Sequence, residues 1–314
     1  MPYTFLFPGQ GAQYPGMGKD LYDAHDSVKE LFRRGNQQVP FNLEEVIFDG
    51  TEEDLRATDK TQVAVTVVSL AASRALGERG IRPDRVAGFS LGEYAALTEA
   101  GVLAAEDVLP LVKIRGEVME AASRELDGEA GRAGMMAVMG LSLDQIRRTL
   151  EDNKFTDAFP SMANSPVQTV LSGTAEGLER AGGLLKEAGA KRVIPLKVSG
   201  PFHTPLMENA RREFEKAVTG VTFSDPRLPV YSNVTGELVE SGDQARELCL
   251  QQLVNTVLWV REEESLLRDG TGRLLEVGPG TVLAGLWKAF GKSRDGVDSV
   301  VEPAGTLEQI EALT

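Results

Sequence analysis

The chain is short of the residues that carry most recognisable chemistry. It has one cysteine, Cys249, among 314 residues, so no intramolecular disulfide can form. The N-terminal "MPYTFLFPGQG" also lacks a basic region followed by an apolar stretch. Together these features lead us to expect a reducing, cytoplasmic setting. Cys249 sits in the helix-like "ARELCLQQL" and reads as core packing rather than as a nucleophile. There are two histidines, His25 and His203. No His and Cys cluster at metal-ligand spacing, so no metal and no tightly bound cofactor is expected. No apolar run is long enough to cross a bilayer, and the phosphate-loop pattern G-x-x-x-x-G-K-[ST] is missing. Repeats and low-complexity segments are missing too. Positive charge is in deficit, with 33 Lys and Arg against 47 Asp and Glu and a net charge of −14. Such a field repels nucleic-acid phosphates and argues against a nucleic-acid partner.

What is present is ordinary globular material, 42% hydrophobic and 25% charged. The length suits a large domain with a smaller one inserted. "YTFLFPG" reads as a buried strand entering the glycine-rich loop "PGQGAQYPGMG". A helix is expected at about 19–35, and a long interior helix at 62–79. A short strand follows at 85–89 and a helix at 91–100, stopped by Gly101. A further helix covers about 105–125, with Pro110 in its first turn. Alternating apolar strands and helices indicate a parallel sheet covered on both faces. The rhythm changes after the linker-like "LDGEAGRAG". "MMAVMG", "SLDQIRRTLEDN", "AFPSMAN", "VQTVLSG", "TAEGLERAGGLLKEAG" and "KRVIPLKV" then read as β-α-β-β-α-β, with Ser142 and Gln145 as a capping box. That order is the ferredoxin-like pattern. The expected division is a large α/β subdomain of 1–127 and 198–314 with a small insert of 128–197. The α/β pattern resumes with the helix "TPLMENARREFEKAV", the strand "LPVYSN", two more helices, and the strand "RLLEVGPG" leading into a last helix.

The stretch "VAGFSLGEYAAL" runs from a strand into a helix through Gly88-Phe89-Ser90-Leu91-Gly92. A serine at such a corner is either a nucleophile elbow or an ordinary turn whose glycines allow close packing. As a nucleophile it needs a base. His25, in "LYDAHDSVKE", falls on a polar helix face and is expected to be solvated. His203, in "VSGPFHTPLM", follows a strand and a Gly-Pro turn and opens a helix, at the rim of a cleft. No carboxylate declares itself as third member, and a backbone carbonyl would serve to orient the imidazole.

"FLFPGQGAQYPGMGKDLY", "GFSLGEYAAL" and "VSGPFHTPLM" together resemble the signatures of the acyltransferases that load malonyl groups onto acyl carrier protein. "IRGEVM", "ANSPVQTVLSG" and "LLEVGPGTVLAGL" resemble further blocks of that family in the same order, so the likeness spans about residues 3–290. It implies a hydrolase-like large subdomain with a ferredoxin-like insert, serving fatty acid or polyketide synthesis. It implies Ser90 as the residue that carries the acyl ester and His203 as its base. The carbonyl of Gln252 would orient that base, and the amides of Gln10 and Leu91 would form an oxyanion hole. Arg115 would grip the free carboxylate of malonate, as a planar guanidinium can with paired charge-assisted hydrogen bonds. A side-chain role near the site is open to Asn164 and Gln62, and neither is assigned one.

Two positions bear on specificity. Phe202 matches an aromatic that goes with malonyl, because a phenyl ring leaves no room for the methyl of methylmalonyl. Phe89 stands where the family usually has histidine, which removes one contact to the bound carboxylate and opens the way to a different acyl group. The implied partners are malonyl-CoA and an acyl carrier protein, acting on a monomer. An acyl hydrolase that clears carrier proteins is the alternative, and an inert docking subunit is a third reading. Carrier proteins of this type are acidic, so docking on so acidic a chain needs a local basic patch. Lys186, Lys191, Arg192, Lys197, Lys288 and Lys292 are the candidates.

Overall fold

The computed structural model describes residues 2–129, 131–196 and 200–313. The first strand, β1 (Tyr3–Phe7), leads through the glycine-rich loop into α1 (Lys19–Ala24) and α2 (Asp26–Gly35). The single helix expected at 19–35 is thus two, because His25 is extended (φ −122°, ψ 119°) and ends one helix as it starts the next. Next come α3 (Thr58–Glu78), β2 (Arg85–Gly88), α4 (Gly92–Glu99) and α5 (Ala105–Arg124). Pro110 is a correction. The helix begins at Ala105, which puts Pro110 in the second turn, where the carbonyl of Glu106 loses its i−4 donor. Glu106 is exposed, so water can take that carbonyl.

Residues 134–195 form β3 (Gly134–Met139), α6 (Leu143–Asp152), β4 (Ala158–Ser165), β5 (Gln168–Gly173), α7 (Ala175–Glu187) and β6 (Arg192–Pro195). The capping box of Ser142 and Gln145 is present at the start of α6. The remaining elements are α8 (Glu208–Val218), α9 (Gly242–Gln252), α10 (Trp259–Asp269), β7 (Arg273–Glu276), α11 (Val282–Gly291), β8 (Val301–Pro303) and α12 (Leu307–Ala312). The pair β8 and α12 was not anticipated. The expected strand "LPVYSN" is reduced to bridges, Val230 beside Val86 in parallel and Tyr231 against Leu238.

The described residues form two sheets. One is parallel, in the order β2-β1-β7-β8, and the other antiparallel, in the order β4-β5-β3-β6. The aromatic and β-branched run of β1 alternates as a strand must. Phe5 and Phe7 enter the larger core with α3, whereas Leu6 joins Ala87, Trp259 and Leu274 on the other face. Both faces of the parallel sheet are therefore covered. Helix α3 is interior, with Val63, Val65, Val67, Val68 and Leu76 all buried. Each such side chain contributes about 1.5–3 kcal/mol of burial. The antiparallel sheet has its own small core of Met136, Val138, Ile146, Leu150, Leu171 and Leu185. It meets the parallel-sheet half where Ala163 N–H donates to the Val257 carbonyl (2.8 Å) and Val257 N–H to the Ser161 carbonyl (2.9 Å).

The corner after β2 is sterically closed. A Cβ on Gly88 would overlap the backbone of Gly92, and one on Gly92 would overlap the carbonyl of Phe7. Gly92→Ala is expected to cost about 3 kcal/mol or more through this overpacking, read as a lower urea midpoint. The control is Gly183→Ala in α7, where a Cβ meets nothing within 4 Å. There the loss of backbone freedom in the unfolded chain should stabilise by about 0.5–1 kcal/mol. Equal midpoints for the two variants would contradict the steric account.

Candidate active site

Ser90 occupies the corner between β2 and α4 with a left-handed backbone, φ 52°. Such strain in a non-glycine residue persists only where its surroundings over-determine it. Here the Ser90 N–H donates to Asn233 Oδ1 (2.6 Å), and Gln252 Nε2 donates to the Ser90 carbonyl (3.0 Å). The hydroxyl is left facing a cavity of about 320 Å³ lined by Gln10, Leu91, Arg115, Asn164, Phe202 and His203 among others.

His203 is buried and is also left-handed, φ 60°. Its Nε2 lies 2.7 Å from Ser90 Oγ and its Nδ1 lies 2.7 Å from the carbonyl of Gln252. A carbonyl can only accept, so Nδ1 carries the proton and Nε2 is free to accept from the serine hydroxyl. Burial, then the nearby Arg115 charge, push the His203 pKa down to about 3, against the pull of the Gln252 carbonyl. The imidazole is neutral at physiological pH, as a base must be.

Gln10 and Leu91 both line the cavity. Leu91 caps the N-terminus of α4. The loop carrying Gln10 lies against the elbow so closely that a Cβ on Gly9 would overlap the Phe89 carbonyl. Among the described residues neither amide N–H has a hydrogen-bond acceptor. Phe202 is buried in the wall, and Phe89 packs edge-on against Trp259 with ring centroids 5.4 Å apart.

Arg115 is almost fully buried. Its Nη1 donates to Gln62 Oε1 (2.9 Å), its Nη2 to Gln252 Oε1 (2.8 Å), and its guanidinium lies 5.3 Å from the ring centre of Tyr94. Its Nε has no partner among the described residues, and no carboxylate is within ion-pair distance of it there. A buried cation held by two neutral amides thus keeps its charge uncompensated among the described residues.

All eight residues singled out in the sequence therefore gather at one place: Gln10, Phe89, Ser90, Leu91, Arg115, Phe202 and His203 around the cavity, and Gln252 behind it. His25 is a correction. It is not solvated, because its Nδ1 lies 2.6 Å from Glu78 Oε2 and its side chain is only 15% exposed. Cys249 is buried, and desolvation pushes its thiol pKa up, away from nucleophilicity. Lys186, Lys191, Arg192, Lys288 and Lys292 are exposed, and Lys197 lies outside the described residues.

The sequence reading missed the polar layer beneath the elbow. Gln252 Nε2 also contacts Glu93 Oε2, and Asn233 Nδ2 donates to Gly88 O (2.7 Å) and Glu262 Oε1 (2.8 Å). Glu93 and Glu262 are buried, and desolvation raises both pKa values, Glu93 to about 7. The signal was there, since "GEYAAL" places an acid inside an apolar helix. Among the described residues Asn164 Oδ1 has no hydrogen-bond partner, and Gln62, left without a role, holds Arg115.

Comparisons with known proteins place the chain in a family. Residues 4–309 match the family described as the acyl transferase domain, and the chain belongs to that family. It is similar to the malonyl CoA-acyl carrier protein transacylase of Bacillus subtilis (38% identity over 91% of this chain and 89% of that one). The Escherichia coli K12 protein of the same name is also 38% identical, over 91% and 92%. An acyl carrier protein S-malonyltransferase from Vibrio cholerae superposes with a TM-score of 0.92 at 34% identity, each chain covered fully. A structure of a type II PKS acyl-carrier protein in complex with its malonyl-transacylase superposes with a TM-score of 0.91 at 34% identity, covering 99% and 98%.

Glu93 yields a pH prediction. Its folded pKa, about 7, lies above the ordinary 4.5, so the folded state binds the extra proton. Stability from this group is full below 4.5 and is lost as pH rises through 7. Glu93→Gln cannot ionise, so its melting temperature should gain on the wild type between pH 5 and pH 8. His203 titrates in both proteins and cancels. A difference in melting temperature that is the same at both pH values would show that Glu93 does not titrate there.

Proposed function

We propose that the protein transfers the malonyl group of malonyl-CoA to the phosphopantetheine thiol of an acyl carrier protein, through an ester on Ser90. The observation that carries this reading is Arg115, a buried guanidinium without a carboxylate partner among the described residues, in the same cavity as Ser90 and His203. His203 Nε2 takes the hydroxyl proton as Ser90 Oγ attacks the thioester carbonyl. The N–H groups of Gln10 and Leu91 hold the oxyanion, each such donor being worth about 3 kcal/mol of barrier. The oxyanion collapses, the C–S bond breaks, and the CoA thiolate takes the proton from His203. The carrier thiol then gives its proton to His203 and attacks the ester, and the steps run in reverse order. The carbonyl of Gln252 keeps the imidazole in the required tautomer throughout. Malonate also changes the electrostatics. Its carboxylate on Arg115 offsets the charge that opposes an imidazolium at His203, so a carboxylated substrate aids its own acylation as well as its binding.

The architecture that supports this reading is a hydrolase-like large subdomain with a ferredoxin-like insert at 128–197. The β-α-β-β-α-β order and the separate small core support that division. The single buried thiol fits a cytoplasmic protein. One observation favours a second reading. Met119, Met135, Met162 and Phe89 make much of the cavity wall apolar, which would suit an uncharged acyl group cleared by water.

The two readings separate by intact mass after brief incubation with malonyl-, methylmalonyl- and acetyl-CoA. Malonyl transfer requires an adduct on the wild type, none on Ser90→Ala, and passage of the adduct to a carrier protein. Arg115→Ala should lower the malonyl-to-acetyl rate ratio about a hundredfold or more, as expected for lost charge-assisted hydrogen bonds. Adducts indifferent to Arg115→Ala that decay to water would make the protein a hydrolase. Phe202→Ala should raise the methylmalonyl-to-malonyl ratio by about 10- to 200-fold, the worth of one methyl in an apolar pocket. An unchanged ratio would remove Phe202 as the volume filter.

A further inference from the structure

We propose that Asn233 is a positioning residue for the nucleophile: its side-chain amide replaces the missing backbone of a fifth parallel strand and grips the elbow on both sides of Phe89. Beside β2 the chain starts a parallel ladder. The Val86 N–H donates to the Pro229 carbonyl (2.9 Å) and the Tyr231 N–H to the Val86 carbonyl (3.3 Å). In a regular continuation the main-chain N–H of residue 233 would meet the Gly88 carbonyl, and the carbonyl of 233 would meet the Ser90 N–H. An extended strand cannot follow β2 there, because Ser90 turns into the left-handed region. The side chain of Asn233 supplies both bonds instead, Nδ2 to Gly88 O at 2.7 Å and Oδ1 from Ser90 N–H at 2.6 Å. Its main-chain N–H is released to Glu93 Oε2 (3.4 Å).

The partners fix which way the amide points. The Gly88 carbonyl can only accept and the Ser90 N–H can only donate, so Oδ1 and Nδ2 cannot exchange places. The second Nδ2 hydrogen goes to Glu262 Oε1 at 2.8 Å. Asparagine is thus the residue that fits, since the position requires one acceptor and two donors. The charged and titratable groups around it are Glu93 on α4 and Glu262 on α10, with Arg115 and His203 acting through Gln252. The function of the grip is to set the position of Ser90 Oγ against His203 and the direction of the following Leu91 amide.

This inference rests on Ser90 being the nucleophile, and the test reads that separately. Full-length wild type, Asn233→Ala and Asn233→Asp are labelled with a fluorophosphonate, which requires a reactive serine but no particular acyl group. Malonyl-CoA acylation is followed in parallel by intact mass. Asn233→Ala should slow both reactions about a hundredfold, the scale of a misplaced reacting group, with the KM for malonyl-CoA within about threefold of wild type. Asn233→Asp is nearly isosteric and decides the matter if the alanine variant does not fold. Protonated, it keeps an acceptor and one donor; ionised between Glu93 and Glu262, it keeps no donor. Its labelling rate relative to wild type should therefore be highest near pH 5.5 and fall as pH rises. Labelling of both variants within threefold of wild type overturns the proposal, as does an aspartate deficit that is the same at every pH. A wild type that labels but takes no malonyl would refute the proposed substrate and leave this inference standing.

Discussion

The active site depends on backbone meeting backbone where β1 ends. The Phe7 carbonyl lies against Gly92, the Phe89 carbonyl against Gly9, and Gly88 against Gly92, with no side chain between them. That crowding forces the chain to turn at Ser90 rather than a residue earlier or later. It also brings the loop of Gln10 and the start of α4 to the same point. The proposed nucleophile and oxyanion donors are thus placed by one packing event. The strain at Ser90 is tolerated because three side-chain hydrogen bonds, two from Asn233 and one from Gln252, hold what the sheet no longer can.

The cost of the site is polarity without water. Arg115, Glu93, Glu262 and His203 are all withdrawn from solvent. Buried charge is normally destabilising unless paired. Neutral amides lessen the cost here. Gln62 and Gln252 accept from Arg115, while Asn233 and Gln252 donate to the acids. Gln252 is the hub, since its main chain holds His203 and its side chain links Arg115, Glu93 and the Ser90 carbonyl. A charge brought in by substrate would be felt at the base through very few atoms.

Much of this was legible in the sequence, for physical reasons that can be named. Glycines at 88 and 92 around a serine mark a corner, because only glycine permits the approach. A histidine following Gly200-Pro201 marks a second. The long, nearly continuous apolar run of α3 and the capping box at Ser142 mark their helices directly. The part that could not be read depends on contacts between distant segments. Asn233 looks like the end of a strand until Val86 shows where that strand stops. Pro110, by contrast, could have been placed from the sequence, since a helix starting at about 105 already puts it in the second turn. His25 looked solvated because Glu78, 53 positions away, closes over it only in three dimensions.

The strand order β2-β1-β7-β8 puts β1 in the middle of its sheet, between strands that follow it in the chain. Its neighbour on one side is made of residues 85–88, and on the other of residues 273–276. During synthesis the loop of Gln10 therefore emerges before the rest of the site and waits for residues 273–276 before β1 is enclosed. The loop of Gln10 precedes the rest of the site in ribosomal time and is among the last parts of it to be held in place. A truncated or stalled nascent chain would carry the serine and even the histidine, but not the closed sheet that aims them.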